Sequence, residues 1–125
     1  MRIKISWSSG AVWAQLNDTP TARKLVEVLP CESHASTWGD EVYFAVPVQA
    51  EPEEDARQVV DLGAVCYWVA GAALALLFGP TPASVGDECR LISEANVLGA
   101  IEGDPRVLEA VRGGESIRVE LAEDI

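Results

Sequence analysis

The sequence predicts a mainly β protein, folded as a closed, mostly antiparallel barrel of about eight strands with two short capping helices near 19–29 and 105–112. Short segments of alternating apolar and polar residues recur along the chain. Glycine, proline and serine clusters separate these segments, as they do in antiparallel sheets. The chain shows neither a βαβ alternation nor an internal repeat, which excludes a parallel sheet and a solenoid.

Length and charge limit the class of protein further. The 125 residues fit a single domain, 1–125, that is large enough to bury a core. A net charge of −11 repels phosphate backbones and anionic lipids, so nucleic acid and membrane surfaces are not expected as partners. The start of the chain, MRIKISWSSG, lacks the apolar core and cleavage pattern of a secretion signal, and we expect a cytoplasmic protein.

The first third of the chain predicts a hairpin followed by a helix. RIKISW alternates, SSG is a turn, and AVWAQL is the returning strand. Thr19 can cap a helix and Pro20 suits its first position, while Pro30 ends it. Next, ESHAST predicts a weak polar strand. After a turn at Gly39–Asp40, EVYFAV predicts a further alternating strand.

The most apolar run of the chain, 64–78, is too short for a bilayer, which needs about 20 apolar residues. Gly71 interrupts it, so the run predicts two short strands, AVCYW and ALALLF, joined by a turn at VAG. The second strand is apolar on both faces. We therefore expect the core to cover it inside and a helix to cover it outside. The prolines of GPTP end the run.

The last third predicts two strands, a helix and a closing strand. The strands are ECRLIS and NVLGAI. Asp104 and Pro105 begin the helix, and Gly113 supplies a left-handed stop. SIRVEL closes the fold. The predicted core residues are Ile3, Val42, Phe44, Leu76, Val97 and Val119. A barrel of this size is filled by its own side chains, so a binding site should lie on its outer surface or rim.

Most chemical sites are disfavoured by the sequence. The three cysteines are odd in number and form no C-x-x-C pair, which indicates reduced thiols rather than disulfides or a zinc knuckle. His34 is the single histidine, so we expect no multi-histidine metal site, and no phosphate loop or cofactor motif is present. No carboxylate lies in an apolar pattern that would raise its pKa. We expect no metal, no cofactor and no catalytic residue.

Aromatic residues offer the best candidate for a binding site. Amphipathic rings favour ligand contacts at the rim of a barrel, although packing in the core is the alternative use of such residues. The candidate ligand-binding residues are Tyr43, Tyr67, Trp68, Phe78, Thr81 and Arg90. The position of Arg90 predicts an anionic or polar small ligand close to Tyr67 and Trp68.

A family resemblance supports the fold. The segment NVLGAIEGDPRVLEAV is similar to the end of cyclophilins, in which a strand leads through a turn into a helix and a closing strand. Together with GDEVYF, YW and FGPTP, it resembles more closely the small cyclophilin-like barrels of bacteria and archaea. The resemblance extends from Met1 to Leu121.

The resemblance implies two functions. Cyclophilins isomerise X-Pro bonds with an arginine from an F-H-R strand, followed by an F-M-x-Q-G-G-D segment, and this chain has neither. Ala45 lies about where that arginine is expected. A binding module for a small molecule or a short peptide, present as a monomer or homodimer, is therefore the first hypothesis. An atypical peptidyl-prolyl isomerase is the alternative.

Overall fold

The computed structural model describes residues 1–122 and shows a mainly β fold with one antiparallel sheet, one α-helix and one 3-10 helix. The sheet contains ten strands within these residues. They are β1 (Arg2–Trp7), β2 (Gly10–Leu16), β3 (Cys31–His34), β4 (Ser36–Thr37), β5 (Glu41–Ala45), β6 (Arg57–Val60), β7 (Ala64–Trp68), β8 (Ala73–Leu77), β9 (Cys89–Ile101) and β10 (Ser116–Leu121).

The sheet order is β3-β10-β1-β2-β9-β7-β8-β5-β4, and β6 pairs with β9 beside this path. The predicted mainly antiparallel sheet is confirmed, but the strands number ten, and hydrogen bonds between the described strands do not close the sheet into a barrel. Its two ends, β3 and β4, are consecutive in sequence and separated by Ala35. The amide of Ala35 donates to Glu115 O at 2.8 Å, and its carbonyl accepts from the amide of Gly114 at 2.7 Å. These bonds tie Ala35 to the residues just before β10, and no ladder joins β3 to β4 among the described strands.

The helices begin where their capping residues predict. The α-helix α1 spans Pro20–Glu27, and the Thr19 hydroxyl accepts a hydrogen bond from the amide of Ala22 at 3.2 Å. The second helix is a 3-10 helix, Pro105–Ala110, capped by Asp104. Both helices end before the predicted limits.

The left-handed residue after the second helix is Gly114, with φ +87°, and not the predicted Gly113. The 3-10 helix ends at Ala110 and is capped by Val111, whereas the predicted helix extended to residue 112.

The core prediction is confirmed at five of its six positions. Ile3, Val42, Phe44, Leu76 and Val119 are buried in the main core. This core fills the inner face of the sheet because alternate side chains of each strand point inward. Val97 is the exception. It is half-buried and packs against a second apolar cluster.

The apolar run forms two strands, as predicted. β7 and β8 pair antiparallel, with Val65 opposite Leu76, and residues 69–72 form the turn between them. Gly71 lies in this turn, which confirms its predicted place and excludes a continuous helix. A Cβ atom at Gly71 would lie 2.2 Å from the indole ring of Trp68, so this position has no room for a side chain unless the ring moves.

The outer face of β7 and β8 is covered by strands and not by a helix. The prediction missed β6 and divided β9 in two, whereas β9 is one strand of 13 residues. Its first half pairs with β6 and its second half with β7 and β2. Residues from β6, β7, β8 and β9 form the second apolar cluster, which we call the outer cluster: Val60, Ala64, Cys66, Ala75, Leu77, Cys89, Leu91 and Ala95.

The three cysteines are free thiols: Cys66 and Cys89 are buried, and Cys31 is half-buried.

None of the helices in residues 1–122 is long and apolar enough to cross a membrane.

Candidate functional site

Strand alternation decides which side chains reach the outer surface. On β5, Val42 and Phe44 point into the main core, and Glu41 and Tyr43 point to the opposite face. Tyr43 lies opposite Ala75 of β8. On β7, Trp68 shares the outer face with Cys66. The outer sides of β5 and β7 thus face the same space.

A cavity of about 220 Å³ opens at this outer face. We call it the aromatic pocket. Three of its lining residues are aromatic, two are aliphatic and one is a carboxylic acid. They are Trp38, Glu41, Tyr43, Trp68, Leu91 and Ile92.

Trp38 is placed by a turn that is locked against the segment after β8. The amide of Asp40 donates to Pro80 O, and the amide of Phe78 donates to Asp40 O, both at 2.9 Å. The residue before Asp40, Gly39, has φ +60°, and a Cβ atom there would lie 2.9 Å from Pro80 O. Position 39 therefore requires glycine both for its conformation and for the close approach of the two segments.

The two aromatic residues on the strands form a pair. The rings of Tyr43 and Trp68 are 6.1 Å apart and nearly perpendicular, at 82°. Such an edge-to-face arrangement is favourable. The indole N–H of Trp68 donates to the Ser93 hydroxyl of β9 at 2.7 Å. This bond fixes the ring and uses its only donor, so Trp68 offers the pocket an apolar surface.

The third side of the pocket comes from β9 through Leu91 and Ile92. Thr81 secures the start of this strand, since its hydroxyl donates to Arg90 O and its amide donates to Ser84 Oγ at 2.9 Å. Thr81 is buried, so it supports the wall of the pocket without lining it.

Glu41 is the charged group of the pocket. Only 5% of this residue is exposed, and burial raises the pKa of its carboxyl group to about 7. This corrects the expectation that no carboxylate would be shifted by apolar surroundings. Within residues 1–122, no side chain or amide donates a hydrogen bond to the Glu41 carboxylate, and no cation pairs with it. Because no fully enclosed side-chain oxygen in these residues lacks a partner, the carboxyl oxygens touch the pocket.

Two of the six predicted binding residues, Tyr43 and Trp68, line the aromatic pocket. Tyr67 precedes Trp68 and points to the opposite face, into the core, where its hydroxyl donates to Val48 O at 2.7 Å. Phe78 is also buried in the main core.

Arg90 is not among the residues that line the pocket. Its guanidinium pairs with the carboxylate of Glu88, two residues earlier. The structure therefore does not bring Arg90 together with Tyr67 and Trp68, and the charge presented to the pocket is negative.

Sequence reasoning missed Trp38, Glu41, Leu91 and Ile92. One signal could have identified Glu41, since it lies two residues before Tyr43 and strand alternation places both on one face. The described residues contain no cluster of three or more metal-ligating side chains.

Comparison with known proteins identifies the family. The family model described as cyclophilin-like matches residues 1–120, and the chain belongs to this family. The comparison with curated proteins gave no match.

Two solved structures are similar to this fold. The solution structure of the hypothetical protein AF2241 from Archaeoglobus fulgidus has 40% sequence identity and a TM-score of 0.83, covering 98% of this chain and 95% of that one. The structure of McbB in complex with tryptophan has 15% identity and a TM-score of 0.69, covering 98% of this chain and 45% of McbB. The second likeness concerns the fold alone.

Proposed function

We propose that this cyclophilin-like protein is a binding module that holds one small organic molecule in the aromatic pocket. The observation that carries the proposal is the concave site built from Trp38, Tyr43 and Trp68. Ligand sites are typically concave and apolar, with a few placed polar groups. Here the apolar part is the three rings with Leu91, and Glu41 supplies the charged group.

Contacts within the fold hold the walls of the pocket in place, which favours ligand binding without a rearrangement of the protein. Gly39 fixes the turn that carries Trp38, and Ser93 holds Trp68 by a hydrogen bond. A site whose walls are held by the fold loses little conformational entropy when a ligand enters.

The alternative, a peptidyl-prolyl isomerase, lacks a supporting observation. An isomerase stabilises a twisted amide with a positioned donor beside an apolar proline pocket, and such a donor is commonly worth about 2.7–4 kcal/mol. The aromatic pocket presents the Glu41 carboxyl, and the guanidinium of Arg90 is engaged by Glu88. Binding is therefore the function that the pocket supports better.

The proposal is tested by a fragment screen followed by NMR. The chain has four tryptophans, whose indole N–H signals report separate places. Ligands of the aromatic pocket should shift the signals of Trp38 and Trp68. Trp7 and Trp13 serve as internal controls, since neither lines the pocket.

Two matched variants complete this experiment. Replacement Trp68→Leu should remove binding of the identified fragments, and Trp13→Leu should leave it unchanged. The proposal is wrong if no neutral, anionic or cationic fragment shifts the Trp38 and Trp68 signals, or if binding survives Trp68→Leu.

A further inference from the structure

We propose, resting on the function proposed above, that the aromatic pocket binds a small methylated ammonium compound. The observation behind this inference is the position of the Glu41 carboxylate within a ring of aromatic side chains, Trp38, Tyr43 and Trp68. A carboxylate together with aromatic faces is the combination that attracts an organic cation.

The lining of the pocket carries a negative formal charge. Glu41 is the single formally charged residue among those that line the pocket. The candidate cation closest in sequence to the lining residues, Arg90, is paired with Glu88. An anionic ligand would therefore meet an unopposed carboxylate, whereas a cationic ligand would neutralise it.

Glu41 is buried in the wall of the pocket. A carboxylate removed from water without a partner is costly, and the described residues provide it with neither a cation nor a hydrogen-bond donor. A positively charged ligand would supply the missing partner. The fold thus presents the oxygens of the Glu41 carboxylate to the pocket, where a cationic ligand can pair with them.

The aromatic lining selects the kind of cation. A primary ammonium carries three N–H donors that each need an acceptor, and the pocket is mainly apolar. Methyl groups on nitrogen remove this requirement and pack against ring faces. The indole N–H of Trp68 already donates to Ser93, so this ring contributes no competing donor. These features favour a tertiary or quaternary ammonium group.

The volume limits the size of the ligand. A cavity of about 220 Å³ is smaller than the pockets of about 300–1,000 Å³ that typically hold drug-sized ligands. This suits a compact cation with a trimethylammonium head and a short polar tail.

Choline is the probe we would use, with a neutral analogue in which a carbon atom replaces the nitrogen. The two have the same shape and differ in charge. Calorimetry at about pH 8.5, where the Glu41 carboxyl with its pKa of about 7 is ionised, should show choline binding at least about tenfold more tightly, with the Trp38 and Trp68 indole signals as a site readout. Ethanolamine, a primary ammonium, should bind more weakly than choline. Equal affinity for choline and its neutral analogue would overturn the inference.

Variants separate charge from shape. Glu41→Gln keeps the side-chain shape and removes the charge, so the preference for choline over the neutral analogue should disappear while binding of the analogue persists. Glu94→Gln is the matched control, because Glu94 is an exposed residue of β9 that does not line the pocket. It should change choline affinity by less than about twofold. A preference retained in Glu41→Gln, or lost equally in Glu94→Gln, contradicts the assignment to Glu41.

The rings are tested separately. Trp38→Leu retains an apolar side chain without a π face, so it should weaken choline binding more than binding of the neutral analogue, and Trp38→Phe should restore part of the difference. If both ligands lose affinity equally in Trp38→Leu, the ring contributes only apolar contact and the cation assignment fails.

Two further outcomes distinguish this inference from the proposed function. If the fragment screen finds pocket ligands but choline does not bind, the binding module stands and the cation inference falls. A trimethyl-lysine derivative blocked at both ends tests whether the ammonium is carried on a peptide. Weaker binding than choline supports a free small molecule, and tighter binding overturns that part of the proposal.

Discussion

Replacing Glu41 by glutamine should change how the stability of the protein depends on pH. Burial raises the pKa of the Glu41 carboxyl from 4.5 to about 7. The folded state therefore holds a proton that the unfolded state has released over this range. Stability attributable to Glu41 is complete below about pH 4.5, falls as pH rises, and reaches its lower limit above about pH 7.

The size of the effect follows from the shift. Each pKa unit corresponds to about 1.4 kcal/mol, so the protein should lose about 3 kcal/mol of its unfolding free energy to Glu41 across this range. Glu41→Gln lacks the titrating group and should escape the loss. The buried neighbour that Glu41 influences, Cys66, stays neutral throughout, because burial raises the pKa of its thiol to about 12.

Urea unfolding of both proteins between about pH 5 and pH 8.5 measures the effect. Titrating groups other than Glu41 cancel in the difference between the two unfolding free energies. That difference should grow with pH in favour of Glu41→Gln, and Glu94→Gln should show no such trend. A difference that stays constant with pH would mean that the pKa of Glu41 is the same in the folded and unfolded states, and the argument from an uncompensated buried carboxylate would then fail.

Three other predictions concern the core, a close strand contact and catalysis. Phe44→Ala should lower the unfolding free energy by roughly 3–5 kcal/mol in urea melts, and a loss below about 1 kcal/mol would show that the ring is not a core element. Gly99→Ala should destabilise the fold severely, because its Cβ would lie 1.9 Å from the backbone oxygen of Gln15, whereas Gly113→Ala, with no atom within 4 Å, should be nearly neutral in the same melts. A protease-coupled assay with proline peptides should show isomerisation at the background rate, and turnover that is lost on Arg90→Ala would contradict this.

Local signals in the sequence predicted most of the fold. Thr19 and Asp104 each marked a helix start, since a capping residue acts on the amides next to it. Gly71 marked the turn between β7 and β8 for a similarly local reason. The long strand β9 was not predictable in this way. The polar residues Ser93 and Glu94 in its middle resemble a turn, but the strand continues as it passes from β6 to β7.

The candidate site was predicted in part, for a reason that lies in strand geometry. Tyr67 and Trp68 are adjacent in β7, and successive side chains of a strand point to opposite faces, so Tyr67 enters the core here and Trp68 reaches the pocket. The same alternation places Glu41 beside Tyr43. That Leu91 and Ile92 cover these residues depends on pairing between distant segments, which the alternation within one strand does not reveal.

Glu41 connects the stability of this protein with its proposed function. The first half of β9 forms the third wall of the pocket through Leu91 and Ile92, and Glu41 lines the same pocket with only a small exposed fraction. An apolar residue at position 41 would avoid the cost of burying a charge, about 3 kcal/mol above neutral pH by the shift considered above. No partner among residues 1–122 offsets that cost. Local departures from the rules of stable packing are expected at functional sites. Since the carboxyl oxygens face the pocket, a ligand that carries a positive charge is the partner that would compensate for the burial of Glu41.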